Sequence, residues 1–280
     1  MAADFSQELQ RVKARVDDRA SLDKKLQILL ALQYRDRIDA GRPPLALSDV
    51  EFRTFSQNGE DGIIHYIFSV IGAGGRRVVE MCAADGMECN AANLIINHGW
   101  KGLLVDGREE FVSRGRTIYG ALSDTFIRPP TFAREWITAE NVNEIVRRHG
   151  FDGDLDLLSL DLDGVDYWVW KALACVQPRV VVLEYNAIWS AARAVTIPYR
   201  PDFQMDFSRV PFYHGASLAA FVKLGREKGY RLVGCERSQT NAIFVRSDVA
   251  PSLFPEVPPE KCLSYTYDGY DWGEREWIQV

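Results

Sequence analysis

Three short apolar runs, each ending on a carboxylate, constrain this chain more than any other feature. They are Arg77-Val78-Val79-Glu80, Gly102-Leu103-Leu104-Val105-Asp106 and Leu155-Asp156-Leu157-Leu158-Ser159-Leu160-Asp161. Short runs rich in Val and Leu read as strands of a parallel sheet, buried on both faces. Ligands of such sheets bind outside the carboxyl ends of the strands, where these acids stand. A carboxylate there accepts hydrogen bonds from ribose hydroxyls or from an ammonium group. The first run continues as Met81-Cys82-Ala83-Ala84-Asp85-Gly86, a turn of small residues that lets a ligand approach the backbone.

The rest of the chain alternates in the same way. Apolar helix Ile63 to Val70 leads to strand 77–81, a helix near 89–98, strand 102–106 and a helix near 108–119. A short strand at 124–127 or 136–138 comes next, then a helix from Asn141 to Arg148 with Asn141 or Thr138 as its cap. Strands 155–161 and 179–185 flank a helix from Tyr167 to Cys175. Residues 187–214 carry several aromatics and little periodicity, the pattern of a functional loop. Helix Ser217–Lys228, stopped by Gly229, precedes strands Tyr230–Cys235 and Asn241–Val245. The short turn between those two strands requires them to be antiparallel.

Upstream, Phe5, Leu9, Val12 and Val16, then Leu26, Ile28, Leu29 and Leu32, recur at helical spacing up to Gly41-Arg42-Pro43-Pro44. Packing on the domain, forming a lid and joining a second subunit in a homo-oligomer all suit that pattern. The expected organisation is a helical extension over residues 1–50, an α/β domain over 51–250 and an aromatic tail over 251–280.

A net charge of −6 argues against a nucleic-acid partner, which requires a basic stripe. The five cysteines are odd in number and form no CxxC pair, so free thiols in a reducing, cytoplasmic setting are expected. No apolar stretch approaches the ~18 residues of a membrane span, and the first residues carry acids rather than a signal-peptide core.

These units, ending in an antiparallel pair, resemble the seven-stranded Rossmann-like sheet of class I S-adenosylmethionine-dependent methyltransferases. Val79-Glu80-x-x-Ala83-Ala84-Asp85-Gly86 resembles the first motif of that family, although Cys82 and Ala84 stand where glycines are expected. Leu104-Val105-Asp106 resembles the second motif, whose acid holds the ribose. Leu160-Asp161-Leu162-Asp163-Gly164-Val165-Asp166 is similar to the Asp-x-Glu-Gly segment of FkbM-like O-methyltransferases. Ser56 to Gly62 and Gly215-Ala216-Ser217-Leu218 look like the same group, and the likeness spans residues 52–246. It implies S-adenosylmethionine as cofactor, with Glu80, Ala84, Asp85, Gly86, Asp106 and Asp161 at its site. It also implies O-methylation of a sugar, an oligosaccharide or polysaccharide, or a glycosylated metabolite.

Each of these residues also has a plainer role. Glu80 and Asp106 can cap helix N-termini, and Asp85 can hold its turn. Asp161 and Asp163 follow one strand while Glu184 and Asn186 end the next. Their oxygens suit a hard cation such as Mg²⁺; a solvated acidic turn is the alternative. His214, before the Gly215-Ala216-Ser217 helix start, is the candidate general base, with Asp163 second; a backbone-bonded loop histidine is its plainer reading. Two other functions stay in play. One is a non-catalytic nucleoside-binding scaffold; the other is an NAD-dependent oxidoreductase, disfavoured because residues 81–86 lack GxGxxG.

Overall fold

The computed structural model describes residues 2–208 and 210–280; the side chains of residues 2–5, 15 and 17–21 lie outside that description. Helices α1 (Ala2–Asp39) and α2 (Glu60–Ile71) lead into β1 (Arg77–Met81), α3 (Ala92–His98), β2 (Lys101–Asp106) and α4 (Glu109–Ala121). Next come β3 (Thr131–Arg134), α5 (Val142–Arg148), β4 (Gly153–Leu160), α6 (Asp166–Ala172) and β5 (Val176–Glu184). The chain ends with β6 (Val195–Thr196), α7 (Leu218–Glu227), β7 (Tyr230–Cys235), β8 (Asn241–Arg246) and β9 (Ile278–Gln279).

Seven strands form one sheet in the order β3-β2-β1-β4-β5-β8-β7. The first five are mutually parallel, whereas β8 runs antiparallel to both β5 and β7. This is the strand arrangement that the resemblance implies, five parallel strands closed by an antiparallel pair. The chain order reverses direction between β1 and β4, which places the crevice of the sheet beside the three acid-ended strands.

Alternation along each strand builds a core on both faces. Val79 and Met81 of β1, with Leu158 and Leu160 of β4, join the core under α5, α6 and α7. Val78 and Leu157 join the opposite core under α1 to α4. The last parallel helix is well specified: the Ser217 side chain accepts from the Ala220 N–H and caps α7 at 3.1 Å.

The structure corrects or decides the sequence reading in four places. The third strand is Thr131–Arg134, not 124–127 or 136–138, because pairing with Leu103–Asp106 sets its register and not its own weak pattern. The loop 187–214 contains β6, which pairs with β9 of the tail; two-residue strands leave no periodicity to read. Of the two caps offered for α5, Thr138 makes the bond: its Oγ1 accepts from the Asn141 N–H at 3.3 Å, while Asn141 Oδ1 accepts from the Thr138 N–H at 2.8 Å. The two N-terminal runs form one helix, packed on α2, α3 and α4. Leu9, Val12 and Val16 lie against the core, and the side chain of Phe5 falls outside the described residues. Leu26, Ile28, Leu29 and Leu32 remain about half exposed, at 49–56%. Among the described residues no helix is long and apolar enough to cross a membrane.

A polar network pins α1 to the sheet domain. The Gln27 amide donates to Asn93 Oδ1 at 3.0 Å and accepts from Asn93 Nδ2 at 3.1 Å. His65 Nε2 lies 2.8 Å from the Gln27 carbonyl and His98 Nε2 lies 2.6 Å from Gln27 Oε1. Burial first, then the charges of His65, Lys24 and Arg76, lower the His98 pKa to about 4. A histidine held below its unfolded value stabilises the fold fully above about pH 6.5, and that contribution is lost as pH falls through 4. Between pH 7.5 and 4.5 the wild type should therefore lose about 2–3 kcal/mol more stability than His98→Gln. Denaturant unfolding of both proteins at the two pH values checks this; equal losses would remove His98 as the cause.

Candidate active site

The turn after β1 keeps a glycine-type backbone without glycines at two of its positions. Cys82 and Ala84 have φ of 68° and 47°, and Gly86 follows at 75°. A non-glycine residue held there costs on the order of 1–3 kcal/mol, a strain that concentrates at functional sites. The loop is nonetheless well anchored, with Ala83 N–H donating to the Val105 carbonyl at 2.9 Å and Gly86 N–H to the Ala83 carbonyl at 2.8 Å. A Cβ on Gly86 would sit 2.8 Å from Leu104 Cδ1, so that glycine is required by space as well as by φ.

The acids expected at the cofactor have distinct surroundings. Asp106, 2% exposed at the end of β2, accepts from the Ala84 N–H at 2.9 Å and the Arg108 N–H at 2.8 Å. It ties the first-motif turn to the second. Glu80, 3% exposed, accepts from the Asn90 and Ala91 N–H groups at 3.0 and 2.6 Å and from Ser159 Oγ at 3.1 Å. Both of its oxygens are thus engaged at the start of α3, the helix-capping role. Burial raises its pKa against those bonds. Asp85 Oδ2 pairs with Arg114 Nε at 3.1 Å, and Arg114 Nη2 reaches Glu8 Oε1 of α1 at 2.8 Å.

Deeper along the sheet edge, Asp161, Asp163 and Glu184 converge, each with a carboxylate oxygen within 4.8 Å of the others. Burial and then the neighbouring acids drive the carboxyls of Asp161 and Glu184 well above the usual carboxylate range. Asp163 is raised by burial, with His214 and Arg108 opposing. Like charges this close favour a shared proton or a cation. The turn that gathers them is built by Asp166, fully buried, which accepts from the Leu162 and Gly164 N–H groups at 2.7 and 3.1 Å. The Gly215 N–H donates to the Gly164 carbonyl at 3.1 Å and brings His214 to the same place. His214 Nδ1 stands 3.5 Å from Glu184 Oε2, and neither atom has a hydrogen-bond partner among the described residues.

Asn186 does not join the acids. Its Nδ2 donates to the carbonyls of Phe212 and His214 at 3.3 and 3.2 Å, and its Oδ1 accepts from the Ile188 N–H at 3.2 Å. It braces the histidine-bearing loop, so the oxygen set available to a cation is Asp161, Asp163 and Glu184. Three clustered carboxylates and the unpartnered Glu184 Oε2 fit a hard divalent ion.

A roof closes over this edge. Phe203 packs against Gly164, where a Cβ would meet its ring at 2.3 Å. Trp168 Nε1 donates to the Ile197 carbonyl at 2.9 Å and Trp136 Nε1 to the Pro201 carbonyl at 2.7 Å. Trp136 also lies over Gly107, beside Asp106, with 49% of its surface exposed. The sequence reading missed it, since it stands two residues past β3, the strand whose place the sequence did not locate. Behind His214, Tyr213 packs with Trp272 and Trp277 of the tail, and Trp189 completes the cluster.

No family model matches the chain, and no curated protein matches it. Among solved structures, it is similar to magnesium protoporphyrin IX methyltransferase from Synechocystis PCC 6803 with bound SAM. The identity is 15% and the TM-score 0.43, over 67% of this chain and 78% of that one. It is also similar to the N-terminal domain of EvdMO1 with SAH bound, at 15% identity and TM-score 0.44 over 68% and 80% of the two chains. A third likeness is to the glycopeptide N-methyltransferase MtfA complexed with sinefungin, at 12% and 0.41 over 66% and 85%. These likenesses are of fold alone.

Chemically, the edge offers a strained small-residue turn beside Asp106, a buried acid triad and an imidazole within reach of one of those acids. Burial lowers the His214 pKa while Asp166, Asp163 and Asp161 oppose that shift. If its Nδ1 carries the proton toward Glu184, the Nε2 lone pair is the free acceptor.

Proposed function

We propose that this protein transfers the methyl group of S-adenosylmethionine to a hydroxyl of a polyhydroxylated acceptor, a sugar, oligosaccharide, polysaccharide or glycosylated metabolite. The observation that carries this reading is the convergence of Asp161, Asp163, Glu184 and His214 at the strand ends next to the positive-φ turn. A cofactor turn and a proton-handling cluster on one sheet edge suit methyl transfer better than hydride transfer. The acceptor class follows from the resemblance to FkbM-like enzymes and from the aromatics and oxygen ligands around the cluster. Five free thiols support a reducing, cytoplasmic location.

When bound, S-adenosylmethionine supplies an electrophilic methyl, and a divalent cation supplies a Lewis acid that lowers the pKa of a hydroxyl. Transfer would be a displacement in which the acceptor oxygen bonds the methyl carbon as the carbon–sulfur bond breaks and the electron pair leaves on sulfur. Asp161, Asp163 and Glu184 would hold such a cation, which would place the hydroxyl beside His214. His214 Nε2 takes the hydroxyl proton, and Glu184 steadies the imidazolium from the Nδ1 side. The residues 81–86 turn and Asp106 would hold the nucleoside and so orient the methyl toward the acceptor.

Titration calorimetry with S-adenosylhomocysteine and with NAD tests the reading. S-adenosylhomocysteine should bind and NAD should not. Asp106→Ala should weaken S-adenosylhomocysteine by roughly 1.5–3 kcal/mol, through lost hydrogen bonds to a charged acceptor. Equal binding by the two proteins would strip Asp106 of its ribose role. Tight S-adenosylhomocysteine binding with no methyl transfer to any sugar in a screen would leave the scaffold reading in place.

A further inference from the structure

A second concavity lies at the opposite edge of the sheet, where residues 72–76 enter β1 and Gly99-Trp100 enter β2. It has a volume of about 420 Å³ between α1, α2 and α3, within the size range of small-molecule sites. Ile28, Ala31, Leu32, Phe68, Leu94 and Trp100 form its apolar wall, and Lys24, Arg35 and Arg76 stand around it. The chain carries a net charge of −6, yet no Asp or Glu lines this groove. Lys24 is already paired with Asp124 at 3.2 Å, so Arg35 and Arg76 are the cations left for an anion. Arg35 Nε donates to the Ser69 carbonyl at 3.1 Å, which fixes its guanidinium beside the groove.

Two further observations show that the groove is incomplete by itself. Ile28 and Leu32 at its rim are 50% and 49% exposed, on an otherwise buried junction. Asn97, 1% exposed and among the lining residues, donates to Asn93 Oδ1, but its own Oδ1 has no donor among the described residues. Buried acceptors are rarely left so, and a water that donates both to Asn97 Oδ1 and to an anionic ligand would satisfy the two acceptors together. The His65 and His98 rings stack at 5.2 Å below and are tied to Gln27, so this end of the groove is pre-formed.

We propose that this groove binds a small amphipathic carboxylate, its alkyl or aryl body against Ile28, Leu32, Phe68 and Trp100 and its carboxylate against Arg35 and Arg76. Neither an uncharged nor a cationic molecule of the same shape satisfies both halves. Guanidinium is the side chain best suited to a carboxylate, because its planar fork matches two oxygens. The site is separate from the methyl-transfer edge and does not depend on that function. Its occupant bridges α1 to α2 and α3 and therefore stabilises the docked N-terminal helix.

Calorimetry and thermal melting of the full chain with decanoate, decanol and decylamine test the proposal. Decanoate should bind with one-to-one stoichiometry and raise the melting temperature, while decanol binds at least about tenfold more weakly and decylamine not at all. Arg76→Gln, whose side chain is exposed, should cost about tenfold in decanoate affinity, and adding Arg35→Gln should cost more. Ala31→Trp should fill the groove and abolish binding at an unchanged melting temperature. Equal affinity for decanoate and decanol, or an unaltered affinity in both the arginine variants and Ala31→Trp, would overturn the site. A dimer in sedimentation that Ala31→Trp dissociates and decanoate leaves intact would overturn it too, by assigning the groove to a second copy of the chain.

Discussion

His214→Ala should slow single-turnover methyl transfer by roughly 10²–10⁴-fold, the ordinary contribution of general-base catalysis. The imidazole is the neutral base nearest the acid cluster, with Nδ1 3.5 Å from Glu184 Oε2. It is placed there by backbone bonds that do not involve its side chain: Gly215 N–H to the Gly164 carbonyl, and Asn186 Nδ2 to the His214 carbonyl. The variant should therefore keep its fold and its affinity for S-adenosylhomocysteine. If the cation alone activates the hydroxyl, the same variant turns over normally. A normal rate in a folded protein would move the base role to Asp163, whose backbone is held at φ 54° beside the histidine.

Chelation of divalent metal should have an effect of similar size. Exhaustive treatment with EDTA should abolish turnover, Mg²⁺ should restore it, and S-adenosylhomocysteine should still bind. The physical reason lies in the triad itself. Asp161 and Glu184 are so buried and so close to other acids that both cannot ionise together without a counter-charge. Asp161→Asn removes one oxygen ligand and one repelling charge at once. It should therefore lose metal-dependent activity while gaining thermal stability in EDTA, an opposition that a purely structural acid would not show. Full activity in EDTA would reassign the triad to direct orientation of the acceptor.

Much of the fold is legible along the chain because the parallel strands are continuous apolar runs and the helices between them carry their own stop signals. The strand ends at Glu80, Asp106, Asp161 and Glu184 could be located for the same reason. The third strand could not, since Thr131–Arg134 has only two buried side chains and takes its register from β2. Nor could β6 and β9, which exist only because the tail returns across Val195–Thr196. The division of labour among the acids was equally hidden. Glu80 and Asp106 both lie near the carboxyl ends of neighbouring strands, two positions out of register, yet Glu80 is taken up by Asn90, Ala91 and Ser159, whereas Asp106 accepts from the N–H of the turn after β1.

Periodicity and residue type alone determined that this chain builds a mainly parallel sheet with acids along one edge, because a buried strand must be apolar throughout and can afford a carboxylate only at its end. Tertiary structure decided which of those acids face one another. Asp161, Asp163 and Glu184 meet because β4 and β5 are neighbours, and Asn186 leaves the group because its amide is needed by the backbone of the loop behind it. It also decided that Cys82 and Ala84 adopt the backbone that glycines would adopt more cheaply. A side chain's partners depend on distances between strands, and those distances are set by packing, which no local pattern encodes.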